Sequence, residues 1–525
     1  MRLPWPRRLV TRDEESHPLF ATAGTGASEL LLQDLGSTDS TAPSMDQLDS
    51  DQGGAAQSGS INQPLNGFEL GGDATIPPDA SVHLAEAVRF KTVSKPNGGG
   101  VEDPEAFQGF RTWLEETYPL SFAACEVETI ATHSMLWCCK GWDDALKPVL
   151  FEGHYDVVPV EPGTESSWPY PPYHGVIANG SVHGRGSLDD KGAVIAMFEA
   201  LEMLLKQGFS PQRTVYFALG HDEEVGGTGA IALANLLHSR GVKLDYAVGE
   251  GGTRFENPYA AFGGPKYLAM IGIAEKIFVS LTFRTNSEAD GHSSAPPPPG
   301  EQSILKVCHA MEAVAAARQR ARLTPAVAME MQAVGDLVRV RLLKWLLRSR
   351  LGRFLLSKSY NRQPGRQPLV RTTVAATLIH SGIRVNIMPR IAEGTVNCRL
   401  LPGEDPARFV SWASGIARRH GTCLSARIAD GPVAPLQPSC TDTEGYRSVK
   451  RALETLPDTA AVPGLTTGTV DIRHFSLLTP HLYRIRPFTY ETAHASGELL
   501  PIAALEGCIR MFAQLIHEAG VPPHH

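Results

Sequence analysis

The apolar positions of this chain keep two different rhythms. Residues 149–151 and 214–219 are short, nearly continuous apolar runs, and the second ends at Gly220. Runs of that length, rich in β-branched and aromatic side chains, predict buried strands. Between them, positions 194, 197, 198, 201, 204 and 205 carry apolar side chains, the stripe of a helix over 193–205. A second helix is predicted over about 229–239 and another strand over 245–248. Strand–helix alternation of this kind builds an α/β layered domain with a mostly parallel sheet. Val82, Leu84, Ala85 and Val88 mark a first helix near the start of the patterned chain.

From about residue 270 the rhythm changes. A strand that alternates over 276–284 is followed by a helix over 303–320, strands near 372–379 and 394–400, a helix over 406–419 and a strand over 423–428. The order β-α-β-β-α-β is ferredoxin-like. It predicts a second domain over 270–430 that interrupts the first, which would span 78–269 and resume over 431–525. An insertion over about 325–370 separates its first helix from its second strand. There Leu343, Leu346, Leu347, Leu351 and Phe354 fall at helical spacing with basic residues interleaved. Two readings stay open: a helix packed on the lid with a solvated basic face, or an apolar surface for a lipid-like substrate or a membrane interface. Residues 1–77, rich in Ser, Gly, Asp, Gln and Thr, are expected to form a disordered arm.

Composition narrows the class without naming a function. Apolar residues make up 42% and charged residues 20% of the 525, as in a soluble globular enzyme with a sizeable core. The formal net charge of −8 argues against nucleic acid as a partner. The eight cysteines form no Cys-x-x-Cys pair, and their scatter fits buried thiols in a reducing compartment better than a disulfide scaffold. The basic N-terminus is not followed by the apolar stretch of a signal peptide, so an intracellular, cytoplasmic protein is expected.

The chemistry lies in three short segments: Gly153-His154-Tyr155-Asp156, Gly186-Ser187-Leu188-Asp189-Asp190-Lys191 and Gly220-His221-Asp222-Glu223-Glu224. Two directly follow predicted strands, where α/β sheets gather their ligands. Each alone reads as a turn or a solvated charge pair. In sequence together they suit a zinc pair, whose ions sit about 3.5–4 Å apart and share a bridging carboxylate. Asp189 is the candidate bridge. His154 would ligate one ion with Asp156 orienting its ring, and Glu224 would ligate the other. Glu223 would then be free to act as general base. Glu250, after the 245–248 strand, lies at the same sheet edge.

These segments, read as Gly153-His154-Tyr155-Asp156-Val157-Val158-Pro159, Gly184 through Gly192 and Gly220 through Glu224, resemble the dizinc metallopeptidases related to aminoacylase and carboxypeptidase G. The similarity is greatest to the branch of carboxypeptidase S and the N-fatty-acyl-amino-acid synthase/hydrolase, and it spans about residues 80–520. It implies a zinc-peptidase-like catalytic domain with a dimerisation-type lid, two Zn²⁺ per subunit, and hydrolysis of peptides or N-acyl amino acids bearing a free carboxylate. By position, His494 would be the last zinc ligand. His292 would stabilise the oxyanion, from the partner subunit in a homodimer, and Asn386 and Arg399 would bind the substrate carboxylate. The resemblance also implies a cis peptide between Asp189 and Asp190. One position departs: relatives carry Asp-Glu-Gly-Gly where this chain has Gly249-Glu250-Gly251-Gly252, and Glu250 would have to replace the absent Asp as ligand. Two other readings remain, a non-catalytic binding module and a membrane-associated lipid-amide hydrolase.

Overall fold

Two sheets organise the chain. The computed structural model describes residues 76–96, 100–286, 291–317, 319–428, 437–489 and 492–520. The arm expected over 1–77 lies outside the described residues save its last two positions.

The larger sheet is mixed, with a parallel centre. Val149–His154 runs parallel to Val215–Gly220 on one side and to Ala247–Gly249 on the other. Leu482–Arg484 joins Ala247–Gly249 in parallel, and Thr459–Thr466 pairs in parallel with Tyr267–Glu275. Antiparallel strands close the edge beyond Val215–Gly220, where Ser134–Cys139 and Glu126–Ile130 form a hairpin. Helices cover both faces, as buried parallel strands require. The helix Thr228–Ser239 packs Ala230, Leu233, Ala234 and Leu237 against Leu136, Leu150 and Ala218. The helices Lys191–Lys206 and Ile502–Gly520 pack on each other, and nearly all of the first is buried. The carboxyl ends of Val149–His154, Val215–Gly220 and Ala247–Gly249 all emerge at one edge.

That hairpin corrects one expectation. Cys125 and Cys139 form a disulfide. The antiparallel register sets Glu126 opposite Cys138, so Cys125 arrives beside Cys139, with Cα atoms 4.2 Å apart. Scatter in sequence concealed this, because strand pairing rather than spacing brings the two together.

The smaller sheet has the order Thr373–Ser381, Ile391–Leu400, Ile277–Asn286, Cys423–Ile428, all antiparallel. With the helices Ser303–Ala316 and Pro406–Arg419 on one face, this is the ferredoxin-like arrangement. Alternation builds its core: Val279, Leu281 and Phe283 face Val396, Cys398 and Leu400, and both rows face Val307, Met311 and Ile416. The insertion holds three helices, Pro325–Leu337, Arg341–Arg348 and Arg350–Tyr360. The continuous apolar stripe of the sequence is therefore divided. Ser349 leaves the helical conformation and caps the third helix, its hydroxyl accepting from the Gly352 amide at 3.0 Å.

Candidate active site

The strand Val149–His154 delivers His154 fully buried at the sheet edge. Its Nδ1 lies 3.1 Å from the Asp156 carbonyl oxygen and 3.2 Å from Asp156 Oδ1. Nε2 therefore points the other way, to Asp189 Oδ1 and Glu250 Oε1, each 3.6 Å distant. Asp156 is itself fixed, accepting from Ser94 Oγ at 2.5 Å and from the amides of Glu223 and Glu224 at 3.1 and 3.3 Å. One carboxylate thus sets both the His154 ring and the turn Glu223–Val225.

Asp189 faces two ways. Its Oδ1 looks towards His154, while Oδ2 is 3.1 Å from His494 Nε2. The same His494 nitrogen is 3.0 Å from Glu224 Oε1. Behind Asp189, buried Glu498 accepts from the amides of Gly186, Leu188 and Asp189 at 3.0, 3.0 and 3.2 Å, and from the Arg185 guanidinium. The Asp189–Asp190 peptide is cis. Donor atoms of His154, Glu223 and Glu250 lie within 4.8 Å of one another, and so do those of Asp189, Glu224 and His494.

These two groups fit a pair of cations. His154 Nε2 is buried with no hydrogen-bond partner. Its 3.6 Å separations are too long for hydrogen bonds. They are close to the spacing of ligands that share an ion bound at about 2.0–2.2 Å. The electrostatics agree. Burial, then the Glu250 carboxylate, pushes Glu223 well above the usual carboxylate range. Burial also raises Glu224 and Glu250. Hydrogen bonds to Asp189 and Glu224 push His494 up to about 10. Burial works to raise Asp189 too, but Arg486 and the two histidines overcome it and hold the group well below its ordinary value. Glu223, Glu224, Glu250 and His494 thus favour added positive charge, while Asp189 is kept ionised by the cations already around it.

Sequence reasoning missed two members. Arg486 donates Nη2 to Asp189 Oδ1 at 3.2 Å and to Glu250 Oε2. It follows Leu482–Arg484, which pairs with Ala247–Gly249, so Arg486 and Glu250 leave adjacent strands side by side. The available signal was Arg484-Ile485-Arg486, charges within a strand too apolar to carry them unpaired. The other is Glu152, in the apolar run of the central strand. A Cβ added at Gly249 would meet Glu152 Oε2 at 2.2 Å and Ile472 at 3.0 Å. A carboxylate from the neighbouring strand thus fills the space a side chain at 249 would need, and Glu250 is the residue facing His154. Both Glu152 oxygens are buried without a hydrogen-bond partner, and burial holds the group well above its ordinary range.

Asp189, Glu223, Glu224, Glu250 and His494 open on a cavity of about 810 Å³. Arg399 reaches it from the strand Ile391–Leu400, donating to Thr469 Oγ1 at 2.9 Å, with its guanidinium 4.9 Å from the Phe278 ring centre. His292 and Asn386 are not brought there. His292 pairs with Ile387 on the short pairing of Gly291–His292 with Ile387–Met388, and the adjacent Asn386 accepts from the Ser293 amide at 3.2 Å; both are exposed, and neither lines the cavity.

The profile of peptidase family M20/M25/M40 matches residues 150–518. The chain belongs to this family. It is a hydrolase, and the family is metal-dependent. The N-fatty-acyl-amino acid synthase/hydrolase PM20D1 of Homo sapiens is 31% identical over 436 residues, covering 79% of this chain and 83% of that protein. Probable carboxypeptidase S-like 2 of Dictyostelium discoideum is 30% identical over 446 residues, covering 82% and 83%. Among solved structures, the M20 family metallo-carboxypeptidase Sso-CP2 of Sulfolobus solfataricus aligns with a TM-score of 0.62 at 17% identity, covering 85% of this chain and 100% of that one. Human carnosine dipeptidase 1 aligns with a TM-score of 0.60 at 15% identity, covering 84% and 96%. At those identities the two structures speak for the M20 fold.

Proposed function

We propose that this M20 peptidase is a two-zinc amidohydrolase that cleaves N-acyl amino acids carrying a free carboxylate. The observation that carries the reading is Asp189, whose two oxygens face separate histidine–carboxylate groups. His154 and Glu250 would hold one zinc, Glu224 and His494 the other, with Asp189 shared. Imidazole and carboxylate donors suit zinc. When bound, such a pair polarises a carbonyl and makes water a usable nucleophile near neutral pH.

The side chains supply the rest. Glu223 lines the cavity as the base that takes a proton from the attacking water and returns it to the leaving nitrogen. Arg399 lies close enough to feel the Glu223 charge and offers a fork for the substrate carboxylate. Arg486 holds Asp189 and Glu250 in place, and Asp156 holds the His154 ring. His292 and Asn386 would complete the site from a second copy of the chain. The outermost strand of the smaller sheet, Thr373–Ser381, is largely exposed, which supports pairing through that sheet.

A second cavity favours an acyl group over a second amino acid. It measures about 290 Å³ and shares Phe255, Glu330, Gly365 and Leu369 with the first. Leu268, Met331, Val334 and Leu347 line much of the rest. That volume is near the lower end of ligand sites, roughly 300 Å³, and its lining suits a hydrocarbon chain. The test is a hydrolysis series on chelated and zinc-restored enzyme. Long-chain N-acyl amino acids should be cleaved faster than N-acetyl amino acids and dipeptides, and only with zinc. Faster cleavage of dipeptides would overturn the substrate assignment.

A further inference from the structure

The insertion has two faces with opposite tasks. Its second and third helices turn Leu347 and Tyr360 inward, onto the 290 Å³ chamber. Outward they present Leu342, Trp345 and Leu351, which are 68%, 49% and 59% exposed, with Phe354 and Leu355 beside them. Leu351, Phe354, Leu355 and Lys358 stand at i, i+3, i+4 and i+7, one face of the third helix. Apolar surface of this kind, gathered on adjoining helices, marks an interaction site rather than the scatter normal on soluble proteins.

The charge around it selects the partner. No Asp or Glu occurs between Leu337 and Ala392, although the whole chain carries a net −8. Within that span Arg341, Lys344, Arg348, Arg350 and Lys358 are interleaved with the exposed leucines and aromatics along the two helices. Asp336, just before it, pairs with Arg348 at 2.7 Å. Lys358 Nζ sits 4.5 Å from the Phe354 ring centre, its stem along the apolar face and its charge at the rim. Leucine and aromatic side chains within a basic rim describe a helix that lies in the headgroup layer of an anionic bilayer.

We propose that the outer face of the helices Arg341–Arg348 and Arg350–Tyr360 seats this enzyme on an anionic lipid surface. The contact is peripheral: among the described residues no helix is long and apolar enough to cross a membrane. It places the acyl chamber directly behind the docked helices, on the path an apolar chain would take out of the lipid. That role for the chamber rests on the proposed N-acyl amino acid substrate; the surface contact does not.

Co-sedimentation of the full chain with vesicles tests it without turnover. Vesicles of phosphatidylcholine alone should leave the protein in solution. Vesicles with added phosphatidylglycerol should pull it down at low salt and release it at high salt. The double variant Trp345→Glu/Phe354→Glu should bind them weaker by on the order of a hundredfold or more, since it removes two inserted side chains. Its melting temperature and its hydrolysis of a soluble short-chain substrate should match wild type. If wild type hydrolyses no N-acyl substrate, the proposed function fails while the vesicle result stands on its own. Equal binding to neutral vesicles, no binding to anionic ones, or undiminished binding of the variant would overturn the proposal. So would light scattering that shows a wild-type dimer dissociated by the two substitutions, because the patch would then be an interface between copies.

Discussion

Glu152 and Gly249 exclude each other's alternatives, because the Glu152 carboxylate occupies the space that any side chain at 249 would need. With a Cβ at 249 only 2.2 Å from Glu152 Oε2, Gly249→Asp should overfill the site rather than add a ligand to it. It should cost about 1–3 kcal/mol in stability, as other overpacked cores do. Adding Glu152→Ala should recover most of the loss, and thermal melts of the two single variants and the pair measure the coupling. Additive effects would show that the two positions do not compete. Glu223→Gln should retain metal and lose turnover by about 10²–10⁴-fold, since the amide cannot take the proton. Metal lost along with activity would make Glu223 a ligand, a role its place beside His154 and Glu250 also permits. At this scale the sequence showed what stood in motifs. His154, Glu223 and Glu224 stand at the ends of buried strands and Asp189 in the turn that opens a helix, and their types announce them. Glu152 and Arg486 were hidden because each lies in or just beyond a strand whose pattern reads as apolar, and only pairing between strands reveals what it faces.

Among elements, the insertion and the smaller sheet both reach the cavities, through Glu330 and Arg399. Glu330, on the helix Pro325–Leu337, borders both cavities, and burial pushes its carboxyl up to about 7. The native state then holds a proton that the unfolded chain releases near its ordinary value of 4.5. Unfolded chains bind fewer protons in that window, so the contribution of Glu330 to stability is full below about 4.5 and is lost as pH rises through about 7. Glu330→Gln should flatten that slope in denaturant melts run across the range, and an unchanged slope would contradict it. Arg399→Ala, on the strand Ile391–Leu400, should mainly raise KM, and far more for acids than for their amides, because the charge-assisted pair exists only for the former. Equal losses on both would remove Arg399 from carboxylate binding. The elements themselves were legible wherever one period ran uninterrupted, as in the helices Lys191–Lys206 and Thr228–Ser239. The insertion was not, because a single stripe of leucines continues across the break at Ser349. The cap there is a local hydroxyl–amide bond that periodicity does not register.

For the whole molecule, two alternating patterns foretold two sheets, but no pattern within one chain could place His292 and Asn386 at the metals. They lie apart from the cavity, which is the arrangement expected if a partner supplies them. His292→Ala and Glu223→Gln should each be nearly inactive, and mixing the two after dissociation should restore roughly a quarter of the wild-type sites, one in each mixed dimer. No recovery would mean that His292 serves its own chain or none. Everything in the account turns on Asp189 as a carboxylate shared by two ions. Metal content by mass spectrometry, on zinc-reconstituted wild type and Asp189→Asn, tests that most directly. The account predicts two zinc ions per chain for wild type and at most one for the variant, with the fold intact by circular dichroism. Two tightly held ions in Asp189→Asn, or full activity of wild type with a single ion, would contradict it.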